Sequence, residues 1–245
     1  MKCLILCAGY GMRLYPLTEN FPKPLLPINK KPIIDYLIDD LEKGGYIDEY
    51  IVVSNHKFID HFNDWQKDRI ENITLIDDGS TTNETRLGAV KDIELAIKSL
   101  NMNDDFLVLA GDNLLDFSLN EFIKFAKDKN SSAIMTHYER SLPKLQRTGV
   151  CTFDDDYLLT SMEEKPINPK SNYAVPPFYI YKKEDLHLIE EGLEAGCGID
   201  APGDFLQWFV KRATCYAFLM PGKRYDIGTL ESYEPIKNKY QGIVK

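Results

Sequence analysis

Between Leu6 and Leu14 the chain reads Leu-Cys-Ala-Gly-Tyr-Gly-Met-Arg-Leu, followed by Pro16-Leu17-Thr18 and then Pro22-Lys23-Pro24-Leu25-Leu26-Pro27. Ala8, Gly9 and Gly11 are small and follow an apolar run directly. At the end of a strand, such residues let backbone N–H groups, including that of Met12, approach phosphate oxygens closely. Arg13 can neutralise a departing pyrophosphate, and Lys23 adds a point charge on a backbone stiffened by the prolines on either side. A lone Gly-x-Gly is more often a plain turn. Two other phosphate loops do not fit: there is no GxxxxGK[ST], and the dinucleotide pattern GxGxxG is broken because Leu14 occupies its last position.

A phosphate loop needs a strand to hold it, and the surrounding sequence supplies one. Lys2–Leu6 reads as a buried strand. Pro32–Lys43 reads as a helix, with Ile34, Leu37, Ile38 and Leu41 on one face, Pro32 in its first turn and Gly44-Gly45 as its stop. Strands at 50–54, 73–76, 106–110 and 133–136 then alternate with helices at 57–70, 88–100 and 119–127. This alternation predicts a doubly wound, Rossmann-like, mostly parallel α/β sheet, whose ligands bind at the carboxyl ends of the strands. From about Gly149 the pattern changes to a hairpin (150–153 and 158–162), an extended stretch at 173–181 broken by Pro176-Pro177, two helices at 184–194 and 203–211, a strand at 215–220 and a terminal helix from about Thr229. One domain over residues 1–245 is expected, with a nucleotide-binding part (1–145) and a smaller acceptor-binding lobe (146–245).

Composition narrows the partners. The 245 residues are 44% hydrophobic and 27% charged, which suits a sizeable core and argues against general disorder. A net charge of −9 argues against a nucleic-acid platform, yet a few converging cations can still bind a small anion. No secretory signal and no membrane-spanning stretch are evident. The five cysteines are odd in number and lack CxxC spacing, so neither a disulfide framework nor a zinc knuckle is expected, and Cys3 and Cys7 are read as core residues. A cytoplasmic location follows. His56, His61, His137 and His187 show no ligand or triad spacing.

The segment from Leu6 to Pro27 resembles the signature of sugar-nucleotide pyrophosphorylases, LAAGxGTRLxPLT followed by PKPLLP. Gly111-Asp112-Asn113, at the end of the strand 106–110, falls where that family places a metal-binding aspartate. Ser161-Met162-Glu163-Glu164-Lys165-Pro166, with Pro169 to Val175, is similar to the EEKP…PKSNYAV stretch of bacterial glucose-1-phosphate thymidylyltransferases. Tyr225-Asp226-Ile227-Gly228-Thr229 is similar to WxDxGT, which carries a second metal-binding aspartate.

The resemblance implies a nucleotidyltransferase of nucleotide-diphospho-sugar transferase fold, making an NDP-sugar and pyrophosphate from an NTP and a sugar 1-phosphate. It implies that Arg13 and Lys23 hold the nucleotide phosphates, alongside Ala8, Gly9, Gly11 and Met12, while Leu87 and Gly88 set a backbone edge against the base. It implies that Asp112 and Asp226 bind Mg²⁺, and that Gly149, Glu164, Lys165 and Val175 bind the acceptor, with Lys165 on its phosphate and Glu164 on its sugar. Hard oxygen ligands suit Mg²⁺. Taken singly, Gly-Asp-Asn is a turn, Glu163-Glu164-Lys165 a solvated charge run and Asp226 a helix cap.

Departures from the thymidylyltransferase pattern mark specificity. Cys7 and Met12 replace a small residue and a threonine. In the loop 77–89 the expected base-reading glutamine is absent, with Asn83, Thr85 and Arg86 available instead. Pro176-Pro177 replaces Thr-Gly, and Gly198 to Asp204 occupies the region of an acidic sugar-contacting stretch. The extra C-terminal helices of those enzymes are not expected, nor is their tetramer; a monomer or dimer is. Two other readings use the same residues: the same chemistry on a phosphorylated amino alcohol or polyol, and a catalytically silent nucleotide-sugar-binding regulator.

Overall fold

A computed structural model describes residues 1–243. The chain opens with β1 (Lys2–Leu6), two single 3-10 turns at Met12–Leu14 and Lys23–Leu25, and the short ribbon β2 (Pro27–Ile28) and β3 (Lys31–Pro32). Then come α1 (Ile33–Glu42), β4 (Glu49–Ser54), α2 (Ile59–Gln66), β5 (Ile73–Asp77), α3 (Ala89–Ser99), β6 (Phe106–Ala110), β7 (Asn113–Leu115) and α4 (Leu119–Lys129). The next run is β8 (Ser132–Tyr138), α5 (Leu142–Leu145), β9 (Gly149–Phe153), β10 (Leu159–Glu164), β11 (Tyr173–Val175) and β12 (Phe178–Tyr181). The chain continues with α6 (His187–Glu194), α7 (Pro202–Phe209), β13 (Cys215–Leu219), β14 (Arg224–Asp226) and α8 (Leu230–Ile236).

This order is that of a doubly wound, Rossmann-like α/β protein. Contacts divide it into two compact units. The first contains Met1–Arg86, Ala110–Glu121 and the segment from Pro221; the second contains Leu87–Leu109 and Phe122–Met220.

In the first unit β1, β4 and β5 pair in parallel, with Leu6 opposite Val53 and Ser54 opposite Asp77. Cys3, Leu4 and Ile5 are all fully buried, as a continuous apolar run requires when both faces of a parallel strand are covered. Helix α1 buries Ile33, Ile34, Leu37, Ile38 and Leu41, one stripe at helical spacing. Helix α8 starts at Thr229, whose hydroxyl accepts from the Ser232 N–H at 3.2 Å, so Thr229 rather than Asp226 caps it. Its Tyr233 joins Leu14, Leu26, Ile28, Ile33, Leu114 and Ile227 in one core cluster, which anchors the chain just after the glycine loop.

In the second unit the strands run β10, β9, β11, β8, β12, β6, and β13 pairs with β8 in parallel. The pairs β10–β9, β9–β11, β11–β8, β8–β12 and β12–β6 are antiparallel. Pro176-Pro177 separates β11 from β12, as the broken extended stretch predicts.

Helix ends depart from the periodicity. The run expected to be helical to Ile70 ends at Gln66, and Ile70 is 98% exposed, so no packing extends the last turn. Strands β7 and β14, three residues each, escaped sequence detection because pairing rather than pattern defines them. The five cysteines are free thiols, four of them buried.

Candidate active site

The first unit assembles the candidate phosphate and metal residues. Beyond β1, Cys7 N–H still donates to Val53 at 2.8 Å, and the Asn55 side chain donates to Ala8 O at 2.9 Å, which fixes the entry to the glycine loop. Nothing lies within 4 Å of a Cβ built on Gly9, so the backbone there is open to a ligand. Gly11 has φ 60°, a left-handed conformation that other residues adopt at a cost. Its carbonyl accepts from Thr18 Oγ1 at 2.8 Å and from Leu14 N–H at 2.8 Å, which winds Met12–Leu14 into a 3-10 turn. Met12 is 51% exposed and Arg13 is exposed, while Leu14 anchors the turn in the core.

Lys23 is buried in its own 3-10 turn and ion-pairs with Oδ2 of Asp112. Oδ1 of Asp112 accepts from Asn113 Nδ2 at 2.7 Å. Asp226 lies opposite Asn113 in the β7–β14 pair, and Ile227 N–H donates to Asp112 O at 3.2 Å. Arg224 links the two strands again, donating to Asn113 Oδ1 at 2.7 Å with its other nitrogen 3.8 Å from Asp226 Oδ2. A Cβ on Gly228 would lie 3.4 Å from an Arg13 nitrogen and 3.6 Å from Asp226 Oδ1, so Arg13 and Asp226 converge on one glycine. Arg13, Lys23, Asp112 and Asp226 are thus brought together by chain segments up to 213 residues apart.

Cys7 fits because of a second glycine. A Cβ on Gly111 would stand 2.6 Å from Cys7 Sγ, so the bulkier residue in the loop is matched by none at the strand end. Burial, and then the neighbouring Asp112 charge, push the Cys7 thiol well above its ordinary range, which keeps it an inert core group.

The second unit assembles the candidate acceptor residues. Gly149 lies opposite Glu164 in β9–β10 and opposite Val175 in β9–β11. Lys165 N–H donates to Thr148 O at 3.1 Å, and Thr148 Oγ1 to Val175 O at 3.2 Å. Lys165 itself has φ 45°, a left-handed conformation that costs an ordinary residue roughly 1–2 kcal/mol and recurs where function constrains the backbone. Its ammonium lies 3.8 Å from Glu164 Oε1 and 4.0 Å from Asp200 Oδ2. Burial, then the charges of Asp204 and Asp200, raise the Glu164 carboxyl to about 7 against the opposing pull of Lys165.

Gly88, at φ 94°, belongs to this unit too. A Cβ there would lie 2.3 Å from the carbonyl oxygen of Ile199, and Val90 N–H donates to that same oxygen at 3.2 Å. The segment 198–204 therefore touches both Gly88 and, through Asp200, Lys165. By sequence this segment only occupies the region of an acidic sugar-contacting stretch, and its glycine and aspartate content is the available signal. His56 Nδ1 pairs with Asp77 at 2.6 Å beside the loop 77–86, and no triad involves it among the described residues.

Among the described residues no group of three or more His, Cys, Asp or Glu side chains could hold a metal. The candidate donors Asp112 and Asp226 are two carboxylates on segments linked by the Ile227 N–H to Asp112 O bond and the β7–β14 pair. Two such donors fit Mg²⁺, which is commonly held by one or two carboxylates, with substrate phosphates and water completing an octahedron.

An α/β unit with an open glycine loop at a strand end, beside paired cations and carboxylates, defines a nucleotide-phosphate-handling protein. The chain belongs to the nucleotidyl transferase family, whose profile matches residues 2–242. The bifunctional protein GlmU of Methanocaldococcus jannaschii is 32% identical over 231 residues, covering 93% of this chain and 51% of that protein. The UTP–glucose-1-phosphate uridylyltransferase AglF of Haloferax volcanii is 25% identical, covering 98% of this chain and 97% of that one. A UDP-glucose pyrophosphorylase solved with UDP-glucose has the same fold, with a TM-score of 0.82 at 24% identity over 98% of this chain and 97% of that chain. The chain thus spans about half of the GlmU relative and nearly all of AglF. Among the described residues no helix is long and apolar enough to cross a membrane.

Proposed function

We propose that this chain transfers a nucleoside monophosphate from an NTP to a sugar 1-phosphate, forming an NDP-sugar and releasing pyrophosphate. The observation that carries this reading is the convergence of Arg13, Lys23, Asp112 and Asp226 beside an open glycine loop. The acceptor set of Gly149, Glu164, Lys165 and Val175 complements it. The relatives' names add weight, since AglF acts on glucose 1-phosphate and a solved neighbour binds UDP-glucose.

The acceptor phosphate attacks the α-phosphorus in line, and pyrophosphate leaves. Repulsion between two anions is the main obstacle, so positioning and charge neutralisation do most of the work and no covalent nucleophile is needed. The backbone N–H groups of Gly9, Gly11 and Met12 cradle the triphosphate, and Arg13 and Lys23 neutralise the leaving group. Lys165 holds the acceptor phosphate, and Glu164 binds sugar hydroxyls. Asp112 and Asp226 would hold Mg²⁺, which supplies a Lewis acid for the reacting phosphate oxygens. The Leu87-Gly88 backbone meets the base. Free cysteines suit a reducing, cytoplasmic setting.

The preferred pair is not dTTP with glucose 1-phosphate. The base-reading loop lacks a glutamine, and Pro177 stands where a glycine would let a sugar approach the backbone; proline removes a donor and adds ring volume. Steady-state kinetics with four NTPs against glucose, mannose and N-acetylglucosamine 1-phosphates, and against phosphocholine, decide the assignment. We expect kcat/KM for dTTP with glucose 1-phosphate to fall at least about tenfold below the best pair, or ~1.4 kcal/mol. Preference for phosphocholine would replace the sugar reading with a non-sugar acceptor, and no pyrophosphate release from any pair would exclude catalysis.

A further inference from the structure

We propose that Gly203, with Gly149, forms the seat that holds the Glu164 carboxylate, and that Gly203 thereby sets selectivity for the sugar part of the acceptor. The proposal rests on the reading of Glu164 as an acceptor contact.

Glu164 closes β10, and α7 packs against that strand. A Cβ built on Gly203, in the first turn of α7, would lie 1.8 Å from Glu164 Oε2, and one on Gly149 would lie 3.1 Å from the same oxygen. The carboxylate is therefore wedged between two glycine backbones, with Oε1 turned towards Lys165. Its side chain is only 12% exposed. The Glu164 N–H donates to Gln207 Oε1 at 3.0 Å, which ties the strand end to the next turn of the same helix.

Gly203 sits in the first turn of α7, where glycine is a weaker helix former than alanine. Its φ is not in the left-handed region, so the backbone does not demand glycine. What the structure uses is the missing methyl. The atom that must move if a methyl is added is the far end of a flexible side chain, so Gly203→Ala displaces the carboxylate by more than an ångström and spares the fold. A carboxylate fixed by packing can accept from sugar hydroxyls in one geometry only. Once displaced, it loses those bonds while Lys165 keeps the phosphate.

The test compares wild type, Gly203→Ala and the double variant Gly203→Ala with Glu164→Asp, whose shorter side chain clears the added methyl. Acceptor and NTP KM are measured with glucose, mannose and N-acetylglucosamine 1-phosphates, together with Tm. The Glu164 carboxyl is titrated by carbon-detected NMR, assigned with Glu164→Gln. In Gly203→Ala we expect acceptor KM to rise about tenfold or more, as for a lost charged hydrogen bond, while NTP KM and Tm hold or Tm rises. The carboxyl should titrate at lower pH as water reaches it, and the double variant should regain acceptor affinity. An unmoved titration with unmoved acceptor KM defeats the seat itself. A moved titration with unmoved acceptor KM leaves the seat intact, removes Glu164 from the acceptor site and ends the selectivity role. A joint rise of both KM values with a lower Tm overturns the proposal in favour of a structural glycine.

Discussion

Lys23 and Asp112 form an ion pair in which both oxygens of the carboxylate are engaged, Oδ2 by the lysine and Oδ1 by Asn113 Nδ2. A cation binding at Asp112 competes with an ammonium already in place. Nucleotide phosphates would draw that ammonium away and free the carboxylate. Lys23→Met should therefore bind Mn²⁺ more tightly than wild type without nucleotide, measured by electron paramagnetic resonance. It should also turn over a hundredfold more slowly or worse, by analogy with the ~2.7–4 kcal/mol for one lost oxyanion donor. Equal Mn²⁺ affinity in the two proteins would show that the lysine does not compete.

Asp112→Asn and Asp226→Asn keep side-chain shape and lose charge, so each should weaken Mg²⁺ binding more than it weakens the fold. Calorimetric titration with Mg²⁺ and nucleotide, beside thermal melts, separates the two effects. Excess chelator should abolish turnover. Full activity in chelator, or in both variants, defeats this assignment.

Arg13 is exposed, so Arg13→Ala should keep wild-type circular dichroism while turnover drops by about a hundredfold or more, on the same analogy. A purified variant with near-normal rates rules out its role on the leaving group.

Glu164 is a carboxyl raised to about 7, chiefly by burial. The folded state binds its proton more tightly than the unfolded state, so stability is greatest below the ordinary carboxylate range and falls as pH rises towards 7. Glu164→Gln carries no such charge. Its Tm advantage over wild type should grow between about pH 4.5 and pH 7 and level off above. A gap that shrinks over this range has the wrong sign and would refute the burial argument.

Gly111 and Cys7 are coupled sterically. Gly111→Ala places a methyl 2.6 Å from Cys7 Sγ, with Ile5 and Pro24 also near, so overpacking should destabilise by about 1–3 kcal/mol. Adding Cys7→Ala should recover part of that loss. Additive effects in denaturant titrations would mean that the two residues do not share the space.

The glycine loop as a turn after β1, the alternation of strands and helices and the family were all legible in the residues, because each is a local pattern. Small residues after a buried strand, apolar stripes at helical spacing and a stiff Pro-Lys-Pro need only near neighbours to be recognised. Cys7 and Met12 read as departures, yet Met12 would still offer its backbone N–H, and Cys7 is accommodated by a glycine 104 positions later. That compensation is invisible without the fold. The same holds for Gly203, which sequence periodicity treats as an ordinary helix start.

By itself, then, the sequence determined which residue types are available for phosphate and acceptor chemistry, and roughly which elements carry them. Tertiary structure alone decided which of them meet: that β14 pairs with β7 and sets Asp226 beside Asn113, that Gly228 receives both Arg13 and Asp226, that the segment 198–204 reaches Gly88 and Lys165, and that Glu164 rests on two glycines. The physical reason is that these relationships depend on long-range pairing and on the absence of a methyl group. Neither leaves a periodic trace along the chain.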